Sequence, residues 1–86
     1  MSERPYEIVL TPPARRAIAE ELPEAVAAAV IDFMTSALLE HPHRVGKPLR
    51  ADLEGVWSGR RGTYRVLYRL REDLRKVVIL RIDHRR

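Results

Sequence analysis

The run Ser58-Gly59-Arg60-Arg61-Gly62-Thr63-Tyr64-Arg65-Val66-Leu67-Tyr68 constrains the fold more than any other stretch. Two glycines bracket a basic turn, and the residues after it alternate in character. Tyr64, Val66, Tyr68 and Leu70 share one parity, while Arg65, Leu67, Arg69 and Arg71 share the other. Successive side chains of a strand point to opposite faces. The spacing therefore predicts a strand with one face in a core and most of its arginines on the other.

The chain has 86 residues and no cysteine. That length predicts one domain over 1–86, with a small core and no disulfide or thiolate site to support it. A partner that binds the folded state would add stability by mass action. No apolar run is long enough to span a bilayer, and Met1-Ser2-Glu3-Arg4-Pro5 lacks the regions of a signal peptide. The expectation is a soluble cytoplasmic protein with no membrane partner.

Net charge is +4, unevenly spread. Residues 1–43 carry seven Asp and Glu against three Lys and Arg, whereas residues 44–86 carry thirteen Lys and Arg against five Asp and Glu. A basic second half points to a polyanion or an acidic protein as partner.

Tyr6 to Leu10 is rich in strand formers and predicts a first strand ending at Thr11. Thr11 suits a helix N-cap, and Pro12 and Pro13 suit the first turn, where their missing N–H groups cost nothing. A helix is expected through about Leu22. A second is expected over Pro23 to Glu40, with Ala27, Val30, Ile31, Met34, Ala37 and Leu38 as its apolar stripe, widened by Val26, Phe33 and Leu39. Two helices joined at one proline predict a hairpin packed on a sheet. Residues 41–49 read as a loop, with Pro42, Gly46 and Pro48 as punctuation. Val56 to Ser58 predicts a short second strand. If Trp57 faces the core, Arg60 joins Arg65 on the open face. A third strand is expected over Thr63 to Arg71, a turn at Glu72-Asp73, and a fourth strand over Lys76 to His84. The fold class is α+β: an N-terminal strand and a two-helix hairpin on a twisted antiparallel sheet, in the order β-α-α-β-β-β.

No nucleotide-cradling glycine loop and no metal-binding signature is present. His41 and His43 have no further ligand nearby, and Ser58 has no histidine spaced to activate it. What remains is an arginine cluster. Arg60, Arg61 and Arg65 come from one turn-and-strand unit, and Arg81 and Arg85 have the parity to join them. Arginine presents a charged planar fork that matches phosphate. Histidine changes charge near neutral pH, but the parity of His84 is opposite to that of Arg85 and places it under the sheet. The residues alone read as a basic sheet face for a phosphate or an acidic partner.

Gly46-Lys47-Pro48-Leu49, Leu53-Glu54-Gly55-Val56-Trp57-Ser58, Arg61-Gly62-Thr63-Tyr64-Arg65-Val66-Leu67-Tyr68 and Ile82-Asp83-His84-Arg85 resemble the RelE/ParE toxin superfamily, and within it the RelE-type toxins of bacterial type II toxin–antitoxin modules. Tyr6-Glu7-Ile8-Val9-Leu10-Thr11 fits as well. The resemblance implies a RelE-like fold and an endoribonuclease that cuts mRNA in the ribosomal A site without a metal or other cofactor. Attack by the ribose 2′-oxygen on the adjacent phosphate would leave a 2′,3′-cyclic phosphate. It implies three kinds of partner: an acidic, RelB-like antitoxin, the ribosome and its mRNA, and DNA only through the antitoxin.

By the same resemblance Arg65 matches the arginine that contacts the scissile phosphate, and Arg85 matches a second catalytic arginine. Lysines of some members fall at Val56 and Ser58, which leaves the general-base role open; Arg61 and Lys47 are the candidates to fill it. Lys47, Arg50, Arg60, Arg81 and Arg86 are expected to bind RNA or the ribosome. Many members carry a tyrosine beyond the His-Arg pair that stacks on the mRNA base. No tyrosine follows Tyr68 here. Such stacking is worth roughly 1–3 kcal/mol, so the expectation divides between a chain cut short of that tyrosine, with steeply weakened cleavage but intact fold and antitoxin binding, and a member that works without it. Two other functions fit the same fold: a ParE-type inhibitor of DNA gyrase, and a weakened toxin acting mainly as antitoxin partner and co-repressor.

Overall fold

The computed structural model describes residues 5–49 and 55–85. A five-stranded sheet in the order β1-β5-β4-β3-β2 carries the helices on one face. The strands are β1 (Glu7–Leu10), β2 (Lys47–Pro48), β3 (Val56–Arg61), β4 (Tyr64–Arg71) and β5 (Lys76–His84). β3, β4 and β5 pair antiparallel, as expected; β2, which was not expected, adds antiparallel to β3, and β1 adds to β5 in parallel, Glu7 opposite Lys76 and Leu10 opposite Ile79. The intervening helices supply the crossover that a parallel pair needs.

The alternation predicted for β4 holds residue by residue. Tyr64, Val66 and Tyr68 are buried, and Arg65, Arg69 and Arg71 are exposed. The β3–β4 turn needs Gly62, whose φ of 52° lies in the left-handed region. β5 departs from strict alternation. Leu67 pairs with Arg81 and Tyr68 with Ile79, so Leu80 is an extra residue, a β-bulge. Before it, Val77 and Ile79 face the core; after it, Ile82 does. The bulge reconciles an apolar strand start with an arginine-rich strand end.

Thr11 sits at the N-cap of α1 (Pro12–Arg16) but makes no side-chain cap. Its hydroxyl instead donates to the Ile79 and Leu80 carbonyls at 2.7 and 3.1 Å, and its N–H donates to the Ile79 carbonyl at 3.2 Å. With proline at both of the next two positions there is little for a cap to satisfy, so the hydroxyl serves carbonyls at the bulge. The chain continues as a π-helical turn, Ala17–Glu21, closed by the Leu22 N–H on the Ala17 carbonyl.

The long second helix is broken. α2 (Glu24–Thr35) stops at Ser36, whose φ of −120° and ψ of −89° leave the helical region, and α3 (Ala37–Glu40) follows. Thr35 and Ser36 hydroxyls donate to the Ile31 and Asp32 carbonyls at 2.8 and 2.6 Å, a side-chain alternative that competes with the ladder. The buried face centres on Val30, Phe33, Met34 and Leu38, while Ile31 turns to solvent. Phe33 meets Tyr64 edge-on, with ring centroids 6.2 Å apart.

Tyr68 anchors the centre. Fully buried, it stacks on half-buried Trp57, and its hydroxyl donates to the Pro42 carbonyl at 2.7 Å. Burial pushes its phenol up to about 12. Gly46 must lack a side chain, since a Cβ there would overlap the Tyr68 hydroxyl. This packing pins the 41–46 segment and delivers Lys47 and Pro48 to the edge of β3. That segment was expected to remain loop. Two residues with a proline carry too little pattern to read as a strand, and proline belongs on an edge. Among the described residues no helix is long and apolar enough to cross a membrane.

Candidate functional site

Two cross-strand rows build the open face of the sheet. In one, Arg60 of β3 stands opposite Arg65 of β4, which stands opposite Asp83 of β5. In the other, Lys47, Ser58, Leu67 and Arg81 follow one another across β2 to β5. Four cationic side chains thus share one face. Like charges placed directly opposite, as Arg60 and Arg65 are, destabilise a sheet unless an anion sits between or beside them.

One such anion is built in. Asp83 Oδ1 accepts from Arg81 Nε at 2.8 Å, and Asp83 Oδ2 lies 3.9 Å from Arg65 Nη2, an ion pair too long for a hydrogen bond. Two grooves open on either side of the Arg60–Arg65 pair. The first, of about 390 Å³, is lined by Arg60, Thr63, Tyr64, Arg65, Asp83, His84 and Arg85 with Gly62. The second, of about 430 Å³, runs from Arg44 through Lys47 and Leu49 to Ser58, Arg60 and Arg65. The Arg85 N–H donates to the Thr63 carbonyl at 2.7 Å, which ties the end of β5 to the β3–β4 turn and sets Arg85 on the groove wall.

The structure therefore brings Arg60, Arg65 and Arg85 into one groove, with Arg81 joined to them through Asp83 and Lys47 in the adjoining groove. It does not bring Arg61. That residue stands opposite Tyr64, and its guanidinium lies 4.9 Å from the Phe33 ring centroid on the helix side. The reason is parity: consecutive residues of β3 cannot both face the groove. Nearby, burial raises the Tyr64 phenol, partly offset by the Arg61 charge. Arg50 and Arg86 lie outside the described residues. His84 is half-buried opposite Tyr64, as its parity implied, yet it lines the first groove from below.

Arg44, Ser58, Thr63 and Asp83 were not singled out from sequence as site residues. Asp83 carried a signal, its shared parity with Arg81 and Arg85. Arg44 carried none, because its place depends on the 41–46 turn, where its N–H donates to the His41 carbonyl at 3.0 Å.

A second charged cluster lies at the far end of β4. Glu72 accepts from the Tyr6 hydroxyl at 2.6 Å, pairs with His43 Nε2 at 2.6 Å and faces Arg75 Nη1 at 3.8 Å. The Arg75 guanidinium also sits 3.9 Å from the Tyr6 ring centroid. The Tyr6 hydroxyl, ahead of His43 and Arg75, holds the Glu72 carboxyl below the usual carboxylate range.

Residues 8–86 match the family described as ParE toxin of type II toxin–antitoxin system, parDE. Toxin RelG of Mycobacterium tuberculosis is 51% identical over 94% of this chain and 92% of its own length. Toxin RelE of the same organism is 46% identical over 96% of this chain and 84% of its own. The RelBE2 toxin–antitoxin complex of that organism contains a chain that superposes with a TM-score of 0.90 at 50% identity, covering 95% of this chain and 100% of that one. The archaeal RelE–RelB complex of Pyrococcus horikoshii matches in fold, with a TM-score of 0.72 at 19% identity, covering 95% and 97%.

Proposed function

The chain belongs to the RelE/ParE family of type II toxin–antitoxin toxins, and from that premise we propose that it is a ribosome-dependent mRNA interferase working in the cytoplasm. One observation carries the reading: Arg60, Arg65 and Arg85 line a single open groove, with one carboxylate, Asp83, among the described residues of its lining. Three permanently charged forks in a half-sheltered groove suit a phosphodiester whose negative charge grows during reaction.

In the proposed step the 2′-oxygen of the ribose attacks the adjacent phosphorus. The 2′-O–H bond breaks, its proton passing to a solvent water, and an O–P bond forms, giving a pentacoordinate centre with added negative charge. The P–O5′ bond then breaks, leaving a 2′,3′-cyclic phosphate, and the departing 5′-oxygen takes a proton from water. Arg65 contacts the scissile phosphate and Arg85 stabilises it from the groove wall. Arg60, Lys47 and Arg81 extend the basic face along the RNA backbone. An acidic antitoxin of the RelB kind would neutralise that face and bring DNA contact only through itself.

The experiment is cleavage of mRNA on a programmed ribosome, mapped by primer extension, for this chain and its Arg65→Ala variant. Cuts at the A-site codon that vanish in the variant are expected. Ribosome-bound mRNA left intact by the unaltered protein would sink the reading. A second reading has one specific support, the family description itself, which names ParE. On that reading the chain blocks DNA gyrase, and purified gyrase would lose supercoiling activity whether or not Arg65 is present.

A further inference from the structure

We propose that Asp83 is a positioning residue that holds Arg65 and Arg81 together as a ready-made anion seat. The proposal rests on the cleavage reading for its catalytic consequence, but not for its effect on anion binding.

Arg65 and Arg81 belong to neighbouring strands and to one face of the sheet. Left to themselves, with Arg60 directly opposite Arg65, the guanidinium groups would swing apart into solvent, because both side chains are more than half exposed. Asp83 lies between them. It takes a hydrogen bond from Arg81 through Nε, which leaves both terminal nitrogens of that fork for another acceptor. Toward Arg65 it stands 3.9 Å away, close enough to attract and too far to use up a donor. A phosphate can therefore engage Arg65 without breaking a hydrogen bond there.

Stability does not explain the arrangement. Asp83 keeps a third of its side chain exposed, and ion pairs this open add little to a fold. It is also the only carboxylate lining either groove among the described residues. Its length matters too. Asp83 stands directly opposite Arg65, and one more methylene would push the carboxylate out into the groove, where the phosphate oxygens belong. Aspartate tethers the arginines from the groove floor, whereas glutamate would occupy the seat.

Asp83→Asn keeps an acceptor for Arg81 Nε and removes the charge, and Asp83→Glu keeps the charge and moves it outward. The measurements are single-turnover cleavage on programmed ribosomes and binding of a fluorescein-labelled uridine decanucleotide in solution. For Asp83→Asn the cleavage rate should fall on the order of tenfold to a hundredfold as the arginines lose alignment. Its affinity for the free oligonucleotide should fall about twofold or more, the lost alignment outweighing the one repelling charge removed, at an unchanged melting temperature. Asp83→Glu should lose both. A purely structural role would instead lower the melting temperature of Asp83→Asn along with both readings.

If the unaltered protein cuts and Asp83→Asn cuts equally well with unchanged affinity, Asp83 has no such role while the cleavage reading stands. If the unaltered protein does not cut, that reading fails, and the oligonucleotide arm decides alone. Weaker binding by both variants at an unchanged melting temperature would then sustain the anion seat, and equal or tighter binding by Asp83→Asn would overturn it.

Discussion

Glu72 and Asp83 are both carboxylates set among cations, and they are used in contrasting ways. Glu72 meets a hydroxyl at one oxygen and an imidazole at the other, with a guanidinium alongside that is itself packed on a ring. Nothing there is left wanting. Asp83 serves two arginines, with two more on the same groove, and its contact to Arg65 is long. The first cluster joins the 41–46 segment, the residue before β1 and the β4–β5 turn, and it has matched its charges within itself. The second carries cation in excess on an open face. Matched charge is what a fastener needs, and unmatched charge is what an anionic partner completes.

Substitutions can break this contrast, and the largest effect should come from the unmatched cluster. Arg65→Ala should cut mRNA cleavage by roughly a hundredfold to a thousandfold, the scale of losing one donor to a developing anion. Its melting temperature should stay within a few degrees, since an exposed pair contributes little. A comparable loss of stability would show that the basic face also supports the fold.

Tyr68→Phe should do the reverse. It strands the Pro42 carbonyl and should cost about 1–3 kcal/mol in urea denaturation, with cleavage retained at temperatures where the variant is folded. Tyr68 also predicts an alkaline limb. Its folded value is raised from 10.0 to about 12, so its contribution is present below pH 10 and lost as pH climbs toward 12. The phenylalanine variant should lack that limb.

Glu72→Gln is the mildest test. Glu72 has a folded value below its ordinary one, so its contribution is present above the ordinary carboxylate range and fades as pH falls through the folded value. The variant should flatten that acid limb and change stability at neutral pH only slightly, with RNA cleavage unaltered. A change in cleavage would mean the two clusters communicate.

How far the sequence shows these features depends on how local they are. The parity of Tyr64 to Arg71 could be read directly, and with it the side of the sheet on which Arg65 stands. The first helix was legible from Thr11 and the two prolines after it and the second from its apolar stripe, but not the break at Ser36, because hydroxyls bonding back to Ile31 and Asp32 leave no mark on periodicity. Arg61 was grouped with Arg60 and Arg65 by nearness in sequence, where strand geometry separates them. Two partners of Glu72, His43 and Tyr6, lie 29 and 66 residues away from it, a link no local pattern contains. Two of the expected RNA-binding arginines, Arg50 and Arg86, lie outside the described residues.

The unpaired residue at Leu80 has a consequence for how such a protein can change over generations. Every side chain after it owes its side of the sheet to Leu80 standing outside the ladder rather than in it. A deletion of Leu80 would set Ile79 opposite Tyr68 and Arg81 opposite Leu67 in an unbroken ladder, with Arg81, Asp83 and Arg85 still on the open face. Changes that instead take Leu80 into the ladder would turn those three toward the helices and Ile82 toward water, a loss of toxicity that a tally of retained arginines would miss. Thr11, whose hydroxyl reaches carbonyls at the bulge from the other end of the chain, is the natural place for a compensating change to appear.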